Sequence, residues 1–364
     1  MIEVKDLRID LGSFVVEDIS LTVEEGTCHV IIGPTGSGKT LILESMIGFR
    51  EFDTGAVFVD DKEISELPVE KRGVSYVPQD LAIFPHLTVK ENIMYSLNVN
   101  KIKEQKRYQF VMELADKLGI THLLNRAAKN LSGGEEQRVA LVRALAVGNN
   151  FLLLDEPFSA LHEGMKKDLW LLLKEIQAEY NLTILMITHD LEEAFFLGDQ
   201  LSLMINGKIH QSGNKKCIYQ RPATIEVANF FGIKNLFSTR VLEVQSKKLI
   251  VESDELATKL ELPYLEKDKN KLTRENKVQV GIRAEEVMIL KNKSERPDRD
   301  NLLTGEVINI FEKGAYNTVL VEPRDSKQQI EVSIPNHAFQ QLEIERDKQV
   351  IVSLKSKSLF YILD

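Results

Sequence analysis

The sequence predicts an α/β protein followed by a β-rich C-terminal region, and three observations support this. A glycine-rich loop, Gly33–Thr40, lies between a run typical of a strand and a run typical of a helix. Two apolar runs, Phe151–Leu154 and Leu182–Thr188, do not alternate in polarity and end in polar residues, as strands buried in a parallel sheet do. Beyond about residue 232, short alternating runs are separated by charged segments, which is typical of antiparallel strands.

The glycine-rich loop, GPTGSGKT, fits the pattern GxxxxGK[ST]. It follows Cys28–Ile32 and precedes Leu41–Ile47, which is the strand–loop–helix context that this pattern requires. Glycines let the backbone turn its N–H groups toward an anion, and the helix N-terminus adds a positive dipole end. The pattern predicts ATP phosphates in this loop, with Lys39 at the β- and γ-phosphates and the Thr40 hydroxyl on Mg²⁺. The expected nucleotide-binding residues here are Gly33, Pro34, Thr35, Gly36, Ser37, Gly38, Lys39 and Thr40.

Polar residues follow both buried runs, at the end where open α/β sheets place their ligands. Asp155 and Glu156 follow the first run and precede Pro157, and His189 follows the second. An Asp-Glu pair in a solvated turn or a lone structural histidine is the plainer interpretation, but the strand-end positions favour chemistry. We expect Asp155 to hold Mg²⁺ through water and Glu156 to act as the general base for the attacking water.

Two further motifs complete a fixed order along the chain: Gln79 within YVPQD, and LSGGE at Leu131–Glu135. Over residues 1–232 the five motifs together resemble the nucleotide-binding subunit of an ABC transporter. The resemblance implies a P-loop NTPase domain with a RecA-like core, an antiparallel β subdomain and a helical subdomain. It also implies that His189 contacts the γ-phosphate and positions the water, and that Gln79 joins Thr40 and Asp155 as a Mg²⁺ ligand.

The LSGGE motif separates this family from other P-loop proteins. Ser132 and Glu135 have the spacing of a helix capping box, which accounts for those two residues without any ligand. The capping box does not account for Gly133 and Gly134, which expose further backbone N–H donors. The resemblance implies that Ser132, Gly133 and Gly134 face the γ-phosphate bound by the other subunit, so that the active form is a head-to-tail homodimer.

Two positions depart from the family pattern. The segment that usually ends in Asp after Ser-Ala-Leu here ends in His162, which cannot supply the negative charge that helps to bridge the two sites. Leu11 occupies the usual position of the aromatic residue that stacks on adenine. Phe14 lies nearby and is the candidate for stacking, although a single Phe in a strand is more often a core residue.

Composition agrees with a globular ATPase of about two domains in 364 residues. The formal charge of −9 argues against a general nucleic-acid-binding protein, which normally has a basic surface. Two cysteines without metal-like spacing argue against a disulfide framework and suit a reducing cytoplasm. The N-terminus has no signal-peptide core, and no apolar run approaches the ~18 residues that a membrane span needs. We therefore expect the membrane-spanning part to come from another chain.

The coarse element prediction places each motif. Strands are expected within residues 2–32 and at Gly55–Asp60, for the antiparallel subdomain. Helices are expected at Lys90–Leu97 and Gln105–Leu118, for the helical subdomain that carries LSGGE, and along Glu135–Val147. A long helix, Met165–Tyr180, should connect the two buried strands, and a hairpin is expected around Asn206 and Gly207.

The C-terminal region, residues 233–364, is predicted to be a small β-barrel regulatory domain that follows an ATPase domain of residues 1–232. GIRAEEVMIL and NLLTGEVINIFEKGAYNTVLVE resemble the OB/TOBE-like domain that follows many importer ATPases. The expected strands are Phe237–Val244, Lys248–Glu252, Val278–Arg283, Glu286–Leu290, Leu303–Phe311, Tyr316–Glu322, Gln329–Ile334 and Gln349–Leu354.

The final segment, from IPNHAFQQLEIERDKQV onward, together with LGIxHLL at Leu118–Leu124, resembles molybdate and tungstate importer ATPases. We therefore expect the ATPase subunit of a molybdate or tungstate importer, at the cytoplasmic face of the cell membrane. Its expected partners are a second copy, integral-membrane permease subunits and, indirectly, an extracytoplasmic solute-binding protein, with an oxyanion at the C-terminal domain. Sulfate, ferric iron, polyamines and sugars are alternative cargoes, and a soluble non-transport ABC ATPase is a remote alternative.

Overall fold

The computed structural model describes residues 1–99, 104–265, 272–290 and 301–363. The chain divides into two compact units, Met1–Lys215 and Lys216–Asp364. The division lies earlier in the chain than residue 232, because the segment with two short helices, α7 (Lys215–Gln220) and α8 (Ile225–Phe230), groups with the strands that follow it. The boundary at residue 232 stays a prediction.

The first unit is built on a six-stranded sheet. In spatial order its strands are β10 (Lys208–Asn214), β9 (Gln200–Ile205), β3 (Cys28–Ile32), β8 (Thr183–Thr188), β7 (Phe151–Asp155) and β6 (Val74–Val77). All neighbours pair in parallel except β9 and β10, which form the predicted hairpin. Every residue of β3, β7 and β8 is buried, which explains why these runs do not alternate. Their carboxyl ends meet at one edge of the sheet.

A second, antiparallel sheet covers part of this core. In spatial order its strands are β2 (Val15–Val23), β1 (Ile2–Asp10), β4 (Thr54–Val59) and β5 (Lys62–Glu63). Buried residues alternate with exposed ones along β1 and β2, as expected when one face packs on the core. Ile2 and Val57 from this sheet share a hydrophobic cluster with Ile31, Leu153 and Leu185 of the six-stranded sheet.

Six helices complete the described part of the first unit. They are α1 (Lys39–Ile47), α2 (Val89–Val99), α3 (Gln105–Lys117), α4 (Gly133–Leu145), α5 (Glu163–Tyr180) and α6 (Leu191–Leu197). Short 3₁₀ turns lie at Val69–Lys71, Thr121–Leu123 and Ala128–Asn130. Helices α2 and α3 pack on α4 and form the predicted helical subdomain, while α5 packs against α6. Among the described residues, no helix has both the length and the apolar character needed to cross a membrane.

The second unit is β-rich, and its described residues form two antiparallel five-stranded sheets around one hydrophobic core. One sheet contains, in order, β13 (Thr258–Pro263), β12 (Lys248–Ser253), β11 (Asn235–Val244), β14 (Lys277–Ile282) and β20 (Phe360–Leu363). The other contains β15 (Val287–Leu290), β19 (Gln349–Leu354), β16 (Leu302–Lys313), β17 (Tyr316–Pro323) and β18 (Ile330–Pro335). A helix, α9 (Asn336–Leu342), and 3₁₀ turns at Ala284–Glu286 and Ser356–Ser358 connect strands. The eight predicted strands are present, and β13, β20 and α9 are additional.

Candidate functional site

The loop between β3 and α1 folds around the ammonium group of Lys39. Nζ of Lys39 donates hydrogen bonds to the carbonyl oxygens of Gly33, at 2.9 Å, and Pro34, at 3.0 Å. Gly38 lies in the left-handed region with φ of 97°, a conformation that favours glycine. Both acceptors of the Lys39 bonds are uncharged, so the positive charge is available to an anion. Burial lowers the pKa of Lys39, although the carboxylates of Glu156 and Asp155 oppose this change.

Hydrogen-bond donors that have no acceptor in the described structure also lie in this loop. The hydroxyl of Ser37 is buried and has no hydrogen-bond partner among the residues that the structure describes. The first amide groups of α1 have no intrahelical acceptors, since the first turn of any helix leaves its N–H groups unpaired. A cation, free amides and an unpaired hydroxyl at one helix N-terminus are a donor set that fits phosphate.

Asp155 ends β7 and lies beside the start of α1. Its Oδ1 accepts from the Thr40 hydroxyl and its Oδ2 from the Tyr76 hydroxyl, both at 3.3 Å. Burial raises the pKa of Asp155 to about 6, although both hydrogen bonds favour the ionised form. Within the described part of the chain, no three His, Cys, Asp or Glu side chains group as a metal site. A carboxylate and a hydroxyl beside a phosphate-binding loop are oxygen donors that suit Mg²⁺, which commonly takes its other ligands from phosphate and water.

Glu156 and His189 form a hydrogen-bonded pair. Nδ1 of His189 lies 2.9 Å from Oε2 of Glu156 and donates to it, because a carboxylate only accepts. The Glu156 backbone is in the left-handed region, with φ of 43°, and its N–H donates to the Ile187 carbonyl oxygen. The Glu156 side chain is largely buried, whereas His189 is half exposed. The pair thus places a carboxylate with a fixed orientation next to an accessible imidazole.

These groups meet in an open groove of about 660 Å³. Its lining residues are Phe14, Thr35, Gly36, Gly38, Lys39, Thr40, Leu41, Gln79, Glu156, Ser159, Ala160 and His189. The sequence-based candidates Phe14 and Gln79 therefore lie with the glycine-rich loop. Gly33, Pro34 and Asp155 adjoin the groove through their bonds to Lys39 and Thr40.

The LSGGE residues lie elsewhere: in the described structure, Ser132, Gly133 and Gly134 are not among the residues that line the groove. They form the start of α4, where Ser132 is the N-cap and Glu135 closes a capping box. The backbone N–H of Ser132 donates to Glu135 Oε2 at 2.7 Å. The capping interpretation of these two residues is confirmed, and it leaves the purpose of the two glycines to another explanation.

Four residues of the site were not among the sequence-based candidates: Leu41, Tyr76, Ser159 and Ala160. Tyr76, which bonds Asp155, belongs to the YVPQD motif and could have been found from its place on the strand next to β7. Ser159 and Ala160 line the groove from the loop after Glu156, and their small size was the available signal.

Comparison with known proteins identifies the family. The ABC transporter family model matches residues 16–159, and the TOBE domain model matches residues 297–360. The chain is 39% identical to the molybdate/tungstate import ATP-binding protein WtpC of Thermococcus kodakarensis, over 79% of this chain and 82% of that protein. The chain belongs to the ABC transporter ATP-binding proteins.

Two further relatives of this ABC ATPase support the same family assignment. It is 33% identical to the spermidine/putrescine import ATP-binding protein PotA of Haemophilus influenzae, over 86% of this chain and 83% of that protein. It superposes on the crystal structure of the ADP conformation of MJ1267, an ATP-binding cassette of an ABC transporter. That match has a TM-score of 0.55 at 26% identity and covers 63% of this chain and 98% of that one. The predicted fold class, an ABC ATPase domain followed by a TOBE-like domain, is confirmed.

Proposed function

We propose that this ABC ATPase is the ATP-hydrolysing subunit of a molybdate or tungstate importer, and that the groove is its catalytic site. The observation that carries the proposal is the Glu156–His189 pair, which shares the groove with Lys39. A carboxylate that can accept a proton thus lies next to a loop suited to phosphate. The cargo is inferred from similarity to WtpC, since none of these residues would touch the transported ion.

The loop residues Gly33–Thr40 are proposed to bind the phosphates through their N–H groups, with Lys39 at the β- and γ-phosphates. Phe14 lines the same groove and is proposed to stack on adenine. Thr40, Asp155 and Gln79 are the proposed Mg²⁺-binding residues, supported by the 3.3 Å contact between the first two. When bound, Mg²⁺ would neutralise negative charge on the phosphates and favour the ionised form of Asp155.

Hydrolysis needs water to attack the γ-phosphorus while the bond to the bridging oxygen of ADP breaks. Glu156 is proposed to take the proton of that water, and its bond from His189 would hold the carboxylate in one orientation. The exposed edge of the His189 ring would contact the γ-phosphate. The Glu156 backbone is bonded to Ile187 in an uncommon conformation, so the main chain that carries the base has a fixed position.

A homodimer is part of the proposal, because Ser132, Gly133 and Gly134 need a nucleotide to bind and do not line their own groove. In a head-to-tail pair each start of α4 would close the groove of the partner. Mixing Ser132→Arg chains with Lys39→Ala chains tests this, since each heterodimer has at most one complete site. Full-rate hydrolysis by each monomer, independent of protein concentration, would contradict the dimer.

The experiment for the catalytic assignment is Glu156→Gln, which keeps the shape of the side chain and removes the base. Turnover should fall about 10²–10⁴-fold, while ATP still binds with near-wild-type affinity. Glu192→Gln is the matched control, because Glu192 is an exposed carboxylate that lies outside the groove. Near-normal turnover in the Glu156 variant would remove Glu156 from the catalytic role.

We further propose that the chain works at the cytoplasmic face of the membrane with permease subunits, and that these receive cargo from an extracytoplasmic binding protein. Reconstituted transporter should take up molybdate or tungstate in an ATP-dependent manner. Uptake of spermidine instead would favour the function named for PotA. If the C-terminal domain senses an oxyanion, added molybdate should inhibit hydrolysis without competing with ATP, and unchanged turnover would exclude that role.

A further inference from the structure

Two contacts connect the same pair of chain segments. One segment runs from Glu156 to the start of α5, and the other is His189–Asp190, between β8 and α6. At one end, His189 donates to Glu156. At the other end, Nζ of Lys166 on α5 donates to Oδ2 of Asp190 at 2.9 Å. The proposed base and its histidine are therefore joined directly at one point and through Lys166 at a second.

The contact between Lys166 and Asp190 is shielded from solvent on the lysine side and is supported by a second hydrogen bond of Lys166. The Lys166 side chain is only 11% exposed, and Nζ makes a second bond of 2.9 Å to Oε1 of Glu163. The hydrogen bonds that Lys166 donates to Glu163 and, as the smaller effect, to Asp190 raise the pKa of Lys166. The lysine therefore stays charged at all working pH values. A charge-assisted bond that is shielded from solvent holds its geometry better than an exposed ion pair does.

Asp190 is held from both sides. Its Oδ1 caps α6 by accepting from the N–H groups of Glu192, at 2.9 Å, and Glu193, at 3.2 Å. Its own N–H donates to the Thr188 hydroxyl at 3.0 Å. With Oδ2 bound to Lys166, the carboxylate connects the first turn of α6 to the first turn of α5. His189 immediately precedes Asp190, so the bond between Lys166 and Asp190 also restricts the backbone position of His189.

We propose that Lys166 is a positioning residue for hydrolysis, which sets the place of His189 relative to Glu156 by holding Asp190. The inference rests on the proposed roles of Glu156 and His189. Lys166 is not among the described residues that line the groove, so it acts without touching the nucleotide. Without its bond, the starts of α5 and α6 can separate, and the Glu156–His189 bond loses its fixed geometry.

The chain supplies a matched control in the next residue. Lys167 pairs with Glu192 at 3.0 Å, and this pair also joins α5 to α6. Both side chains are about 60% exposed, however, and the contact of Glu192 with Asp190 is made by its backbone N–H. Such an exposed pair contributes little to stability. Lys167→Met and Lys166→Met each remove a lysine–carboxylate contact between α5 and the α6 segment, and only the second releases the Asp190 carboxylate.

Turnover and KM for ATP are measured in full-length Lys166→Met, Lys167→Met and Lys166→Arg. Lys166→Met should lower kcat about tenfold with KM within about twofold, since displacement of a group by ~1 Å can cost up to ~10²-fold in rate. Lys166→Arg, which restores the charge, should recover most of the loss, and Lys167→Met should match wild type. Equal kcat in the two Met variants, or a loss confined to KM, would overturn the proposal.

Asp190→Asn gives a second test that keeps the helix cap, because Asn caps as well as Asp. If Lys166 acts through Asp190, the double variant with Lys166→Met should have the same kcat as the worse single variant. Multiplicative losses would show that the two residues act independently and would overturn the inference. If Lys166→Met fails to fold, Asp190→Asn alone tests the contact with Lys166: it should lower kcat with little change in KM, and wild-type kcat would overturn the inference.

His189→Ala separates this inference from the proposed function beneath it. Wild-type turnover in His189→Ala would show that the Glu156–His189 pair is not needed for hydrolysis and would contradict the proposed function. Loss of turnover in His189→Ala together with wild-type turnover in Lys166→Met would overturn the role of Lys166 alone.

Discussion

Lowering the pH from 8 to 5 should destabilise the first unit through one buried imidazole, His29 on β3. The His29 side chain is 3% exposed and has a bond at each nitrogen: Nδ1 to the Thr22 carbonyl oxygen at 3.1 Å, and Nε2 to Ser202 Oγ at 2.7 Å. Since a carbonyl oxygen only accepts, Nδ1 carries the proton and Nε2 accepts from Ser202. The folded protein therefore holds His29 neutral.

Burial lowers the pKa of His29 from 6.5 to about 4, against the opposing effect of the bond to Thr22. In the unfolded chain the imidazole takes up a proton below about 6.5, whereas in the folded chain it resists protonation until about 4. The unfolded state then binds more protons, so stability is fully present above 6.5 and is lost as the pH falls toward 4. The full loss corresponds to about 3 kcal/mol, of which about 2 kcal/mol appears by pH 5.

Urea unfolding followed by Trp170 fluorescence measures this effect, because Trp170 is the only tryptophan and is fully buried in the same unit. His29→Gln removes the titrating group, and His122→Gln, at an exposed position, is the matched control. The free energy of unfolding of wild type minus that of His29→Gln should fall by about 2 kcal/mol between pH 8 and pH 5. A difference that does not change with pH would refute the reasoning.

Three further outcomes are expected. Burial raises the pKa of Glu193 to about 7, so wild type loses stability as the pH rises from 4.5 to 7. The free energy of unfolding of Glu193→Gln should therefore rise by about 3 kcal/mol relative to that of wild type by pH 8, and parallel pH profiles would contradict this. His162→Asp should leave ATP affinity unchanged in a binding titration and alter the cooperativity of hydrolysis, whereas a large fall in affinity would give His162 a direct role. Gly207→Ala should lower Tm, because its Cβ would lie 1.9 Å from the Val15 carbonyl oxygen and the backbone has φ of 81°. It should also weaken ATP binding, because the Gly207 N–H donates to the Ser37 carbonyl oxygen in the glycine-rich loop. Unchanged ATP affinity would show that the loop does not depend on this bond.

The meeting of the glycine-rich loop, Asp155 and His189 could be predicted because it depends on one rule. Buried apolar runs predict parallel strands, and parallel strands place their carboxyl ends at one edge of the sheet. The position of Gln79 needed the resemblance as well, since a single glutamine in a turn carries no pattern of its own. The individual roles of these residues stay predictions until the variants are measured.

Helix starts were less accurate, for reasons that the structure makes clear. Helix α4 begins at Gly133, whereas the expected start was Glu135. The capping box already contained the answer, because it places Ser132 at the N-cap and Glu135 at the third helical position. Low helix propensity of two glycines argued for a later start, and the cap outweighed it. Likewise α1 begins at Lys39, directly after the left-handed Gly38, rather than at Leu41.

The contacts that sequence reasoning could not reach are those between distant segments. Strand β20 pairs with β14, about eighty residues earlier in the chain, and nothing local in four residues identifies that partner. The Lys166–Asp190 bond has the same character, since it depends on how α5 packs against α6. In both cases the residue type was visible, but the partner was fixed only by the tertiary fold.

The start of α4 and the loop after Glu156 are neighbours within one chain. A Cβ on Gly133 would lie 3.6 Å from Leu161, and one on Gly134 only 2.4 Å from the flexible end of Met165. Leu161 precedes His162, the N-cap of α5, whose side chain makes no capping bond among the described residues. In the proposed dimer, a partner's nucleotide against Gly133 would therefore press on the same loop whose other end is Glu156. The segment from Glu156 to His162 would then hold the base of its own site at one end and contact the LSGGE residues of the other site at its far end. His162, which replaces the usual Asp, lies within this segment.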